Sequence, residues 1–191
     1  DLKVKLGMSE IETGTLFSIL PLGILTGSLI FGPVADRYGY KLLLVITCIF
    51  LAAGFEGVAF SSSLILLKSS IFLIGLSGGV LNGATNALVS DISDSERTAN
   101  ISLLGVFFGI GALGIPVLLG SAGEKAGFEK IVSLVGLISL LSAIIYALTK
   151  FPPPKIVQKI PISGIKDFFR DKVLLLIAFF LFFQSSFEGL M

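Results

Sequence analysis

Apolar residues run together along this chain, and polar residues collect in the gaps between the runs. Six runs stand out: Thr13–Val34, Leu42–Phe60, Ile65–Val89, Ala99–Leu119, Ile131–Thr149 and Val173–Met191. Each is near the length of about 20 residues that carries a helix across the hydrocarbon core of a bilayer. No water reaches that core to satisfy a backbone amide, so an apolar run closes its hydrogen bonds on itself as a helix. Three of the gaps, Ser61–Leu64, Ser90–Thr98 and Gly120–Lys130, are short, and Lys150–Lys172 is long. The expected fold class is an all-α polytopic membrane protein with six transmembrane helices visible. Asp1–Glu12 is polar and amphipathic, an extramembrane lead-in.

Composition strengthens this picture. The chain is 54% hydrophobic and 14% charged, where soluble domains carry about 25% charge. A net charge of +1 gives no reason to expect nucleic-acid binding. Histidine is absent, which removes the commonest catalytic base and metal ligand. No glycine-rich phosphate loop, metal-ligand spacing or nucleophile with a base occurs, so neither an enzyme nor an ATP-driven pump is expected. Cofactors and metals are not called for. The single cysteine, Cys48, sits in an apolar run and reads as a small buried hydrophobe.

Lysine and arginine set the orientation. Arg37, Lys41, Arg97, Lys150, Lys155, Lys159, Lys166, Arg170 and Lys172 fall on one side of the membrane, and Lys3, Lys5, Lys68, Lys125 and Lys130 on the other. The richer side is the cytoplasmic one, and the lead-in is then outside. Phe151-Pro152-Pro153-Pro154 cannot continue a helix, because proline lacks the amide hydrogen and clashes with the preceding turn. Ile162, Ile165, Phe168 and Phe169 share one face of Ile160–Lys172, a pattern for a short helix lying at the membrane surface. The expected division is 1–12 lead-in, 13–150 tightly connected helices, 151–172 cytoplasmic linker and 173–191 a truncated further helix. The chain reads as a piece of a longer one.

The stretch between the first two runs is Gly32-Pro33-Val34-Ala35-Asp36-Arg37-Tyr38-Gly39-Tyr40-Lys41. It resembles the signature loop between the second and third helices of major facilitator superfamily transporters. Gly32, Asp36, Arg37, Gly39 and Lys41 match that pattern; Tyr40 stands where a basic residue is usual. The resemblance implies a bundle of the major facilitator type, with the six runs as the family's helices two to seven and 151–172 as the joint between its halves. It also implies that this charged cluster latches the cytoplasmic side, with Asp36 held by Arg37, Lys41 or Arg97, or seated at a neighbouring helix amino terminus, where the dipole favours an anion.

Polar residues inside the runs are the candidate site. Gly75, Gly79, Gly83 and Ala87 recur every four residues, a stripe of small side chains that lets helices approach closely. Beside it run Gly78, Asn82, Asn86 and Ser90. Amides are costly in lipid, so Asn82 and Asn86 should face protein or a water-filled cavity. Plain interhelical hydrogen bonding competes with solute binding as their role. The segment Gly78–Val89 is similar to the fourth helix of the fucose:proton symporter branch, although Ala87 replaces the usual proline and Asn82, as an amide, cannot carry a coupled proton. Gly109–Pro116 resembles the fifth helix of that branch. It also resembles the glycine-proline motif of drug:proton antiporters, but Ile115 separates Gly114 from Pro116, and Ile71–Leu73 lacks their arginine.

Arg97, with Asp91, Asp94 and Glu96, reads as a solvated capping turn or as a gating partner for a carboxylate at a neighbouring helix end. Glu56 reads as an interfacial, water-reachable acid. Gln184 and Glu188 share a face of the last run. A carboxylate inside a span is a functional candidate by default, so Glu188 is the candidate for proton coupling, and the resemblance places that helix on the cavity. The expectation is proton-coupled uptake of a sugar-like small solute by alternating access in a bacterial-type inner membrane, with Asn82, Asn86, Gln184 and Glu188 binding the solute and with the remaining helices of the transporter, and the lipid bilayer, as partners. The alternatives are a drug:proton antiporter and a non-transporting scaffold or solute sensor.

Overall fold

The computed structural model describes residues 6–93, 95–152, 170–173, 175–176 and 179–180. Among the described residues four long helices follow in order: α1 (Glu10–Ala59), α2 (Leu64–Ile92), α3 (Arg97–Ala126) and α4 (Phe128–Leu148). All four are long and apolar enough to cross a membrane, and no strand occurs among the described residues.

The 50 residues of α1 contain both of the first two expected spans. Its start is a capping box: the Glu12 amide donates to Ser9 Oγ (3.2 Å) and the Ser9 amide donates back to Glu12 Oε2 (2.9 Å). These bonds satisfy amides that the first helical turn leaves without partners. The helix is interrupted at Gly39, where φ is 80° and ψ is 163°. A side chain would be strained at that φ, so glycine is what lets the chain turn there. The sequence read a loop over ten residues; the structure concentrates the break in one and keeps helix on both sides. At the other end of the second arm, Phe60 closes α1 and Ser63 opens α2 by accepting from the Leu66 amide at 3.2 Å. A second glycine with positive φ, Gly127 at 83°, joins α3 to α4.

Two apolar clusters hold these arms together. One surrounds the Gly39 break: Ala35, Tyr40, Leu43 and Leu44 of α1 meet Val80 and Ala84 of α2, with Tyr146 and Phe151 against them. The other lies at the far end, where Met8, Val58 and Ala59 meet Leu67 and Val132. The helix α2 therefore packs along α1, and α4 packs along α1's second arm. By contrast, none of the described side chains in the apolar stretch of α3 is buried. Large side chains such as Phe107, Phe108 and Leu113 are exposed there, as are Leu137, Ile138 and Leu141 on α4. Such outward apolar surface suits lipid or further helices.

By internal packing the chain divides into two compact units, residues 1–157 and 158–191. The helices above belong to the first. The surface helix expected at Ile160–Lys172 and the sixth span expected at Val173–Met191 lie largely outside the described residues.

Candidate functional site

The site is built on α2, and the stripe that does not belong to it explains where it lies. Gly75 and Gly79 press against the backbone of α1's first arm. A methyl group at Gly79 would collide with the Ile24 carbonyl, and one at Gly75 with the Leu20 carbonyl. The contact is reciprocal: a methyl at Gly23 would stand 2.5 Å from the Phe72 carbonyl oxygen. Backbone-to-backbone approach of this kind is available only to residues without side chains. Further along, the Phe31 ring occupies the space over Gly83.

One residue away around the helix, the neighbouring stripe is open. A methyl at Gly78 would meet nothing within 4 Å. Gly78, Asn82 and Asn86 line a partly open cavity of about 580 Å³, bordered on its other side by Leu104, Phe107 and Phe108 of α3. Asn82 is exposed into it and Asn86 is half-buried. The Asn86 side-chain nitrogen donates to the Asn82 carbonyl oxygen (2.8 Å) and to Asn82 Oδ1 (3.0 Å). The Thr85 hydroxyl turns back to the Leu81 carbonyl at 2.6 Å. No ionised side chain is among the described residues that line this space. It offers amide hydrogen bonds on one wall and an apolar, partly aromatic surface on the other.

Of the second set of expected residues, Gly32, Asp36, Arg37 and Lys41 flank the Gly39 break within α1, and Arg97 opens α3. Asp36 and Gly32 are half-buried, and Arg37, Lys41 and Arg97 are exposed. The Arg37 guanidinium lies 5.3 Å from the Tyr38 ring centre, within the range of a cation–π contact. The connection that closes this region comes from a residue the sequence had set aside as a departure. Tyr40 is buried, and its hydroxyl donates to Asp91 Oδ2 at 2.8 Å, tying the start of α1's second arm to the end of α2. At the end of that arc, Asn100 donates to Ser93 Oγ (2.8 Å), bridging the turn into α3.

At the opposite end, Glu56 is half-buried. The Ser133 hydroxyl of α4 lies 2.9 Å from both of its carboxylate oxygens. No sequence pattern linked these two residues. Gln184 and Glu188 lie outside the described residues, so the structure brings together Asn82 and Asn86 but describes no partner from the last span.

Long outward-apolar helices beside a cavity edged with amides define an integral membrane protein of the polytopic helical class. The sequence model of the Major Facilitator Superfamily matches residues 1–191, and the chain belongs to that family. It is 34% identical over 154 residues to the multidrug resistance protein MdtH of Aeromonas salmonicida, covering 79% of this chain and 37% of that protein. It is 31% identical over 93 residues to the class B tetracycline resistance protein of Escherichia coli, covering 49% of this chain and 23% of that protein. With the D-xylose transporter of Levilactobacillus brevis it shares 26% identity over 100 residues, 52% of this chain and 22% of the relative. The chain thus spans between about a fifth and two fifths of the length of these relatives.

Proposed function

We propose that this chain supplies helices two to six of one half of a secondary transporter together with the first helix of the other, and that the cavity between α2 and α3 is part of the solute site. The observation that carries the reading is the open amide stripe: Asn82 and Asn86 face a cavity although the adjacent stripe of the same helix is packed to backbone contact. Polar side chains are retained within a membrane segment where they meet solute or water. The solute is a monosaccharide or similar small polyhydroxy compound, bound without help from an ionised group on the described walls of this cavity. Gln184 and Glu188 complete the site from the second half, and Glu188 carries the coupled proton. The relative described as a D-xylose transporter supports the substrate class.

On this reading six helices belong to the chain, 151–172 is the linker between halves, and the protein resides in a bacterial-type inner membrane. Alternating access follows from rocking of the halves about a site near the midplane. Gly32, Asp36, Arg37, Gly39, Lys41 and Arg97 form the cytoplasmic gate, with Asp36 held by Arg37, Lys41 or Arg97 or seated at a neighbouring helix amino terminus.

A second reading, proton-driven export of lipophilic compounds, draws on the aromatic wall formed by Phe107 and Phe108 and on the resistance proteins among the relatives. The two separate in proteoliposomes containing the full-length protein. Lumen acidification on adding one of a panel of hexoses, pentoses and deoxyhexoses supports symport. Proton movement driven only by a lipophilic cation supports export and overturns the sugar reading.

A further inference from the structure

The amide pair has a direction. The Asn82 main-chain oxygen can only accept a hydrogen bond, so the atom of Asn86 that lies 2.8 Å from it must be the amide nitrogen. That nitrogen is also 3.0 Å from the Asn82 side chain. The atom Asn82 presents to it must therefore be the acceptor, Oδ1. With Oδ1 committed to Asn86, the Asn82 nitrogen points the other way, and Asn82 is the exposed member of the pair on the cavity wall. Thr85, beside it, spends its hydrogen on the Leu81 carbonyl.

The uncommitted groups are then unequal. Asn82 Nδ2 offers two donors, Asn86 Oδ1 offers an acceptor, and no charge of either sign lies on the described walls. We infer that Asn86 is a positioning residue: it fixes Asn82 as a hydrogen-bond donor, and the cavity thereby selects neutral solutes that present an acceptor oxygen beside a hydroxyl, as a vicinal diol does. This rests on the reading of the cavity as the solute site. A cation is disfavoured because a donor amide opposes it. An anion gains only neutral hydrogen bonds from the described walls.

The test is binding of one hexose and its series of monodeoxy and monodeoxyfluoro derivatives to the full-length protein. Fluorine keeps a weak acceptor and removes the donor. At the position facing Asn82 the fluoro sugar should bind better than the deoxy sugar, by roughly threefold to tenfold, a fraction of a neutral hydrogen bond. Asn86→Asp cannot donate to the Asn82 oxygens; its carboxylate accepts from Asn82 Nδ2 and turns that amide around. The fluoro advantage should then vanish. Asn82→Asp provides a second route, because it still accepts from Asn86 and so keeps the pair, yet has no donor to offer. It should abolish the same advantage. A ratio unmoved in both variants, with wild-type hexose binding intact, overturns the positioning role alone. Absence of hexose binding to the wild-type protein overturns the site reading and this inference together. A loss of affinity equal for all derivatives also counts against it, since a purely structural role lowers affinity without changing the ratio.

Discussion

Two stripes of α2 lie side by side and have opposite fates. Gly75, Gly79 and Gly83 meet α1 so closely that a single added carbon has no room. Gly78, Asn82 and Asn86 face a cavity in which an added carbon at Gly78 touches nothing. Both stripes repeat every four residues, and both begin with glycine. What separates them is the neighbour. On one side α1 returns at Gly39 and is held by two apolar clusters. On the other, α3 keeps its apolar surface unburied. Small residues at helical spacing therefore mark close packing only where a second helix is held against them.

The comparison is broken most severely on the packed side. Gly79→Leu drives a side chain into the Ile24 backbone. Overpacking against movable side chains already costs about 1–3 kcal/mol, and here whole helices must part. The expected outcome is little or no monodisperse protein after detergent extraction. Normal yield and an unchanged elution profile would show that α1 and α2 do not meet this way.

A smaller effect is expected at the Gly39 break. Tyr40→Phe keeps the ring in the cluster and removes the hydrogen bond to Asp91. Bonds to charged groups contribute about 1.5–3 kcal/mol in soluble proteins, whereas those between membrane helices average about 0.6 kcal/mol. The thermal midpoint should fall by a few degrees with solute affinity preserved; a lowered affinity at unchanged midpoint would move Tyr40 from fastening to binding. Smallest in stability is Gly78→Ala, which should stay within about 0.5 kcal/mol of the parent while weakening solute binding by narrowing the cavity. A large loss of stability there would mean that the open face is packed in the folded protein.

Much of this was legible in the order of residues because two periodicities carry it. Five of the six apolar runs fall on the four helices of the described residues, since a bilayer demands length and continuity. The four-residue spacing identified both stripes of α2. What was not legible depends on pairs far apart in the chain. Tyr40 and Asp91 are 51 positions apart, and nothing local distinguishes a tyrosine that replaces a base from one that finds a carboxylate. Glu56 and Ser133 are 77 apart, so Glu56 read as an acid at the interface until α4 supplied its partner. Phe107 and Phe108 were indistinguishable from any other apolar residues in a span; only the placement of α3 opposite the amides makes them a wall. The break at Gly39 was expected as a loop because charge clusters there, but a single glycine in the left-handed region suffices to reverse the helix.

The most direct test of the open cavity is the reactivity of cysteines placed in its wall and at a fully buried position of the same helix. Asn82 lines the cavity, whereas Ser77 is fully buried, with no hydrogen-bond partner for its hydroxyl among the described residues. In the full-length protein in proteoliposomes, with Cys48 and any other cysteine replaced, Asn82→Cys and Ser77→Cys would be exposed to a membrane-impermeant thiol reagent. The account predicts rapid labelling at position 82, slowed by a transported solute, and no labelling at position 77. Equal labelling at both positions, or none at 82, would contradict it.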